Sequence, residues 1–245
     1  MPKKSSIDPT QLVLYEDASL LAVNKPAGVP VLPDGYDLDL VHLRALLEPA
    51  YGPLWIVHRL DKETSGLVML ARTAEAHRAL NDSFAQRQVS KIYHALVRGA
   101  PDWTERVVRL ALLPDGDRRH RTVVDRRRGK RSLTRLRVLE QFRGYALVEA
   151  APKTGRTHQI RVHLQSQGVP IAADPLYGDG RAVLLSEVKP GYRKKGQERP
   201  LLDRLGLHAW QIVIPHPVHG EPLSLRAPHP KDLRITLRQL RKYGR

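Results

Sequence analysis

The sequence contains no cysteine in its 245 residues and only two phenylalanines. Without cysteine, the chain can form no disulfide, no thiolate metal site and no cysteine nucleophile, and this composition fits a reducing compartment. Residues 1–6 include no apolar segment of a secretory signal, and no hydrophobic run approaches membrane-spanning length. We therefore expect a cytoplasmic protein without a membrane partner, whose core is built mainly of leucine, valine, alanine and isoleucine.

Common signatures of nucleotide and hydrolase chemistry are also missing. The sequence has no Walker loop, no G-x-G-x-x-G and no nucleophile elbow. His158 and His163 are close together, but their spacing of five does not place both on one helical face, and no well-placed acid completes a ligand set. We expect neither a metal nor an organic cofactor.

Positive charge is abundant, with a formal net charge of +16 and a pI of about 10.4. Such an excess indicates an anionic partner, most simply a nucleic acid. Much of it lies in two segments, 118–137 and 189–204, and each alone could be a solvated loop. Two such segments together with a basic C-terminal helix favour contacts with phosphate groups. The expected contacts are Arg126, Arg127, Arg128, Lys130, Lys194 and Lys195.

Apolar spacing predicts strands and helices without a regular βαβ alternation. Strands are predicted at residues 12–15, 20–23, 91–97, 145–149 and 207–214. Helices are predicted near residues 40–47, after Thr73 as N-cap, and near residues 233–240. This mixture predicts an α+β fold with a mostly antiparallel sheet.

Residues 157–167 are ambiguous, because period-two spacing would also allow a strand. We favour a helix, since Thr157 can act as N-cap, Ile160 and Leu164 share a helical face, and Gly168 suits the position after the C-terminus.

One carboxylate, Asp61, lies within the run His58-Arg59-Leu60-Asp61-Lys62-Glu63-Thr64-Ser65-Gly66. An apolar stretch at 67–71 follows, which predicts a turn that leads into a buried strand. Arg59 and Lys62 flank Asp61, and nearby cations favour the ionised form of a carboxylate. A lone acid in a groove that binds polyanions is expected to have a function, such as catalysis. Asp and Ser are also common caps, so this run alone leaves a structural and a catalytic role open.

Three further runs carry polar or aromatic groups. Tyr93 lies on a predicted strand, where tyrosine is more often part of the core than catalytic. Residues 152–163 contain two arginines, two histidines, a lysine and a glutamine, which are costly to pack unless they surround an anion or an acid. Residues 174–178 form a turn-like segment.

Taken together, these runs resemble the RluA-type family of RNA pseudouridine synthases. The matching segments occur in the family's order and cover most of residues 12–228; they are 24–28, 58–66, 91–97, 155–163, 174–178, 207–209 and 216–217. The resemblance implies the pseudouridine synthase fold, a mostly antiparallel mixed sheet flanked by helices and loops.

The resemblance also implies isomerisation of specific uridines to pseudouridine in ribosomal RNA, transfer RNA or both. The C1′–N1 bond breaks, the uracil turns, and a C1′–C5 bond forms, without metal or cofactor. RNA is then the expected partner rather than DNA, and we expect a monomer.

The site residues follow by matching positions. The resemblance makes Asp61 the catalytic carboxylate, pairs Arg161 with it, and places Tyr93 against the target base. It also implies that Arg59 enters the RNA stack in place of the flipped uridine and that Ile160 packs beside the base. The remaining residues expected to bind substrate are His58, Thr64, Arg156 and His158.

We expect an N-terminal tail at 1–11 and a single catalytic domain at 12–245, with basic loops at 118–137 and 189–204. Several relatives carry an N-terminal S4-like domain, which we do not expect here. Ala173 stands where many relatives have glycine. The alternatives are an RNA-binding or ribosome-assembly factor of the same fold, and a nucleosidase or glycosylase that would release free uracil.

Overall fold

The computed structural model describes residues 7–33, 39–193 and 196–244. Within this part of the chain there are eleven strands, five α-helices and a 3-10 helix at Pro9–Leu12. The chain divides into two compact units: a first unit of residues 1–89 and 211–228, and a second unit of residues 90–210 and 229–245. The predicted α+β class is confirmed, whereas the single catalytic domain at 12–245 stays a prediction.

The strands are β1 (Val13–Glu16), β2 (Leu20–Lys25), β3 (Trp55–Ile56), β4 (Ser65–Ala71), β5 (Ser90–Arg98), β6 (Glu105–Leu113), β7 (Val123–Val124), β8 (Lys130–Phe142), β9 (Tyr145–Pro152), β10 (Leu207–Pro215) and β11 (Pro222–Arg226). The helices are α1 (Leu43–Tyr51), α2 (Ala74–Ala85), α3 (Gln159–Ser166), α4 (Leu185–Val188) and α5 (Lys231–Tyr243).

The first unit is built around β4, in which all seven residues are buried. The strands predicted at 12–15 and 20–23 are present as β1 and β2, which pair with each other, and β2 pairs in turn with β4, both antiparallel. Leu67 and Met69 of β4 pack with Leu80 of α2 in one cluster. The run of small and aliphatic residues that follows Thr64 is therefore a strand buried on both faces, as its uninterrupted apolar pattern predicts.

Helix starts in the first unit follow local capping. Thr73 caps α2 as predicted, because its side chain accepts a hydrogen bond from the amide of Ala76. Helix α1 begins at Leu43, so Leu40 lies outside it. The imidazole of His42 accepts from the amide of Ala45 and fixes that start.

The second unit contains the antiparallel series β5–β9–β8–β6–β7. Because successive strand residues point to opposite faces, Val97 and Leu96 of β5 belong to different clusters. Val97 packs with Ile160 and Leu164 of α3. Leu96 packs with the apolar side of α5, whose cations face outward. The two helices therefore cover opposite faces of β5.

Two details differ from the sequence predictions, and one prediction is not tested. Helix α3 begins after His158 rather than at a Thr157 cap, because a turn closed from the Gln159 amide to the Arg156 carbonyl places Thr157 outside the helix. Segment 118–137 is not a loop throughout, since it includes β7 and the first part of β8. The predicted contacts Lys194 and Lys195 lie outside the described residues.

Candidate active site

Asp61 lies in the turn between β3 and β4 of the first unit, and its side chain is half-buried. Its carbonyl accepts a hydrogen bond from the amide of Thr64 at 3.0 Å, which closes the turn. The neighbouring carbonyl of Lys62 accepts from the amide of Gly28 at 2.9 Å. These backbone hydrogen bonds within the first unit therefore fix the conformation of the turn that carries the Asp61 carboxylate.

Lys25 supports this turn from inside the first unit. It is fully buried, and its ammonium donates to the carbonyls of Pro26, Val29 and Lys62 at 3.0, 2.8 and 3.0 Å. Burying an ammonium is costly unless it is hydrogen-bonded, and these carbonyls meet that need. Sequence reasoning missed the role of Lys25. The available signal was a lysine two residues after the apolar run 20–23, where the same strand continues. We infer that it joins residues 26–29 to the Asp61 turn.

The other predicted residues of this run have different surroundings. The Nε2 atom of His58 accepts from the amide of Met69 at 3.0 Å, which assigns its ring proton to Nδ1, and the ring stacks on Phe84. Thr64 is buried, whereas Arg59 is exposed. His58 thus has a contact that orients the start of the turn, and its role in substrate binding stays a prediction.

Arg161 lies in the first turn of α3, in the second unit, and is almost completely buried. Its Nε and Nη2 atoms donate to the two oxygens of Asp174 at 2.8 and 2.7 Å. The resemblance had indicated Asp61 as the acid for Arg161. That pairing stays a prediction, while Asp174 is a partner that sequence reasoning missed. The available signal was an acid in a turn close after the arginine-rich run.

Tyr93 and Ile160 are brought together in the second unit. Ile160 belongs to the cluster that contains Ala95, Val97 and Val148, and the half-buried ring of Tyr93 packs against the same cluster. Tyr93, Ala95 and Val97 occupy alternate positions of β5 and therefore share one face of the strand. A half-buried aromatic ring such as that of Tyr93 is suited to stacking on a planar base.

A buried chain of polar groups anchors α3 to β8. The Gln159 amide donates to the hydroxyl of Thr134 at 2.9 Å, and that hydroxyl lies 2.8 Å from Nδ1 of His163. Nε2 of His163 lies 2.8 Å from the hydroxyl of Ser132, which donates to the carbonyl of Leu110. The arrangement in which every hydroxyl hydrogen of this chain has an acceptor has a neutral His163 with its proton on Nε2, so that Nδ1 accepts from Thr134. Burial lowers the pKa of His163 to about 4 and so favours that form.

Arg156 and His158 lie just before α3. The Arg156 amide donates to the side-chain oxygen of Gln159 at 3.1 Å, and its Nε donates to the carbonyl of Arg131 at 3.3 Å. His158 is half-buried, and its Nδ1 lies 2.9 Å from the hydroxyl of Tyr177. Both predicted residues are therefore held close to the start of the helix that carries Arg161.

Ala173 has a φ of 55°, in the left-handed region that favours glycine. This conformation explains why glycine suits the position, and it leaves alanine with a strain of about 1 kcal/mol. The residue precedes Asp174 in the chain, so the strained turn lies where the buried carboxylate must be directed at Arg161.

The cations of segment 118–137 divide into paired and unpaired groups. Arg128 is bound to Asp125 at 2.8 Å and Arg137 to Glu149 at 3.0 Å. Arg126, Arg127 and Lys130 are exposed, and no carboxylate of the described residues lies within ion-pair distance of them. The unpaired cations are the ones with a full charge to offer a phosphate.

His94, His208 and His229 form a cluster around Trp210 in the second unit. Nδ1 of His94 lies 2.8 Å from Nε2 of His229, and the His94 ring stacks on Trp210. Burial, with the nearby His229, His208 and Arg137, lowers the pKa of His94 to about 3.

Across residues 7–33, 39–193 and 196–244, no three histidine or acidic side chains are placed to hold a metal ion. None of the helices in these ranges is long and apolar enough to cross a membrane.

Comparison with known proteins gives consistent results. Residues 19–166 match the RNA pseudouridylate synthase family. The ribosomal large subunit pseudouridine synthase D of Neisseria meningitidis serogroup B is 35% identical over 249 residues, which cover 98% of this chain and 63% of that protein. The chain therefore spans less than two thirds of that relative's length. The ribosomal large subunit pseudouridine synthase C of Vibrio parahaemolyticus is 39% identical, with 94% of this chain and 70% of the relative covered.

Solved structures show the same similarity. The structure of human RNA pseudouridylate synthase domain containing 4 superimposes with a TM-score of 0.74 and 29% identity, covering 96% of this chain and 95% of that chain. Human RNA pseudouridylate synthase domain containing 1 has a TM-score of 0.70, also at 29% identity, over 89% of this chain.

Proposed function

Because this chain belongs to the RNA pseudouridylate synthase family, we propose that it is an enzyme that isomerises uridine to pseudouridine in RNA. The observation that carries the proposal is the family match over residues 19–166, the range in which the proposed site residues Asp61, Tyr93 and Arg161 lie. A binding protein of the same fold would have no need of all three.

We propose Asp61 as the group that starts the reaction. Its carboxylate initiates cleavage of the C1′–N1 bond, the freed uracil turns, and C5 bonds to C1′. The C5 hydrogen then leaves as a proton, and N1 takes up a proton in exchange. The product therefore has the same atoms as the substrate, and no external reagent is consumed. We expect the reaction to need no cofactor.

Access to the target nucleotide requires that it leave the RNA stack, at a cost of a few kcal/mol. The exposed guanidinium of Arg59 is suited to fill the vacated space, since planar cations stack on bases. The half-buried ring of Tyr93 and the side chain of Ile160 would receive the extruded uracil. Arg161 would keep the catalytic carboxylate ionised and oriented. His58, Thr64, Arg156 and His158 would complete the substrate-binding region.

We propose large-subunit ribosomal RNA as the substrate, because the bacterial relatives described above are named for it. Transfer RNA is the competing substrate, and direct comparison of the two RNAs decides between them. We further propose that the protein works as a monomer in the cytoplasm.

The first test is release of tritium from RNA transcribed with uridine labelled at C5. The wild-type protein should release tritium from large-subunit ribosomal RNA, because forming the C1′–C5 bond expels the C5 hydrogen. Asp61→Asn and Asp61→Ala should lower the rate by at least about 10⁴-fold and still bind RNA, since a neutral side chain cannot initiate the reaction.

Glu63→Gln is the matched control, since it removes a half-buried carboxylate two residues away and should retain turnover. Turnover by both Asp61 variants would exclude the proposed role. RNA binding without any tritium release by the wild type would indicate the assembly-factor alternative, and free uracil would indicate a glycosylase.

Grip on the RNA backbone is proposed for the unpaired cations Arg126, Arg127 and Lys130 more than for Arg128, whose charge is already met by Asp125. The double variant Arg126→Gln/Arg127→Gln should weaken RNA binding and reduce the slope of log K against log salt. The expected reduction is about 0.7 for each phosphate of single-stranded RNA that the variant no longer neutralises.

Arg137→Gln is the control for this measurement, because it removes a cation of the same segment that is paired with Glu149. We expect a smaller change in slope for this variant. An equal change in slope per arginine removed, which is twice as large in the double variant as in Arg137→Gln, would show that the slope reports only net charge. An unchanged slope in the double variant would exclude phosphate contacts by this turn.

A further inference from the structure

Asp174 is the most completely enclosed acid beside α3, with a side chain that has no exposed surface. Its Oδ2 accepts from Nε of Arg161, and its Oδ1 accepts from Nη2 of Arg161 and from the amides of Leu176 and Tyr177 at 2.9 and 3.1 Å. Four donors thus converge on one carboxylate. This number fixes the carboxylate plane, and the two parallel bonds to Arg161 fix the guanidinium plane against it.

The charge state of this pair is well defined. Burial acts to raise the pKa of Asp174, but the hydrogen bonds and charge of Arg161, together with the two amides, hold that pKa below its usual value. Asp174 is therefore ionised at neutral pH. A buried ion pair gives little net stability compared with an apolar pair, so its presence indicates a need for orientation.

Tyr177 connects the same pair to the basic loop between β6 and β8. Its ring lies under the Arg161 guanidinium, with 4.9 Å between the guanidinium carbon and the ring centroid. Its hydroxyl oxygen accepts from the amide of Thr122 at 2.8 Å, so its own hydrogen remains to donate to Nδ1 of His158. Arg121 adds a second link by donating to the carbonyl of Leu176 at 3.1 Å.

We propose that Asp174 is the positioning residue that fixes the guanidinium of Arg161 for the reaction, and that Tyr177 extends this support to the basic segment 114–129 between β6 and β8. This inference rests on the proposed function. Neither residue touches the substrate; both act by limiting the orientations of Arg161. The turn 174–177 therefore contacts both the basic segment proposed to bind RNA and the arginine proposed to act in the reaction, and it holds the two in a fixed arrangement.

The test separates reaction rate from RNA affinity. Single-turnover tritium release is measured with excess enzyme on large-subunit ribosomal RNA transcripts labelled at uridine C5, and the dissociation constant is measured on the same RNA. Asp174→Asn keeps the shape of the side chain but removes its charge and one of the accepting oxygens. We expect its rate at saturation to fall about 100-fold, as for a misplaced catalytic group, with a dissociation constant within about twofold of wild type.

Asp232→Asn is the matched control. Asp232 accepts from Nε and Nη2 of Arg204 at 2.6 and 2.7 Å, the same two-bond geometry in the same unit, but away from α3. We expect this variant to keep the wild-type rate. If Asp174→Asn and Asp232→Asn lose rate equally, or if Asp174→Asn keeps the wild-type rate, the inference is wrong.

Tyr177→Phe keeps the ring under Arg161 and removes only the hydroxyl that binds Thr122 and His158. Its rate at saturation should fall about tenfold with little change in affinity. If Asp174→Asn does not fold, Tyr177→Phe tests the inference instead, because this substitution removes no charge. An unchanged rate in Tyr177→Phe would then overturn the inference. Absence of tritium release by the wild type would instead reject the proposed function, so the two failures are distinguishable.

Discussion

Helices α2 and α3 begin differently, although a threonine suited to capping precedes each. At α2, Thr73 has extended backbone angles, and its hydroxyl accepts from the amide of Ala76 at 3.1 Å. At α3, the N-cap is His158, with a φ of 53° and a ψ of 19° in the left-handed region, and it makes no side-chain capping bond. This conformation costs a residue other than glycine about 1 kcal/mol.

The difference shows which contacts determine the position of each helix start. Helix α2 is fixed by a local rule, whereas α3 is fixed by partners distant in sequence: Thr134 and Ser132 on β8, and Asp174 after the helix. Natural sequences depart from local rules mainly at functional sites, where surrounding structure compensates for the strain. The strained start of α3 therefore supports its assignment as the helix that serves the reaction.

The largest expected effect on stability follows from acid, because the polar network of α3 requires a neutral His163. The folded-state pKa of His163 is about 4, below the unfolded value of about 6.5. As pH falls through this interval, the unfolded chain binds a proton that the folded protein does not. His163 alone therefore lowers the free energy of unfolding by about 1.4 kcal/mol for each pH unit between 6.5 and 4, and His94 adds a similar slope.

Urea unfolding at pH 7, 6, 5 and 4.5 measures this slope. In His163→Gln, the side-chain amide can donate to Ser132 and accept from Thr134 without titrating, so the slope should flatten by about 1.4 kcal/mol per pH unit. An identical slope in the variant and the wild type would mean that this imidazole does not titrate as the network requires.

The same contrast explains how far the sequence could be interpreted. Strands with an unbroken apolar or alternating pattern, such as β4 and β5, and the capped helix α2 were predicted because their signals are local. The start of α3, the buried ammonium of Lys25 and the acid partner Asp174 were missed. Each depends on hydrogen bonds between residues that only the fold brings together, and no local propensity reports such bonds.

Candidate residues divide in the same way. Asp61 and the run before α3 stood out because charged groups are concentrated there, and the resemblance gave them roles. Which arginines are neutralised could not be predicted, because Arg137 meets Glu149 only through the pairing of β8 with β9. Ion pairs of this kind separate the cations whose charge is already neutralised from those whose charge is available to an anion.

The smallest expected change in the free energy of unfolding comes from the threonines that precede α2 and α3. Thr73→Ala removes a side-chain cap and should lower the free energy of unfolding by about 1 kcal/mol. Thr157→Ala removes an exposed hydroxyl that lies outside α3, and it should change that free energy by less than about 0.5 kcal/mol. Urea denaturation of both variants at the same pH of 7.5 makes the comparison under one condition. A loss of about 1 kcal/mol in Thr157→Ala would mean that α3 is capped locally after all, and that its strained start needs another explanation.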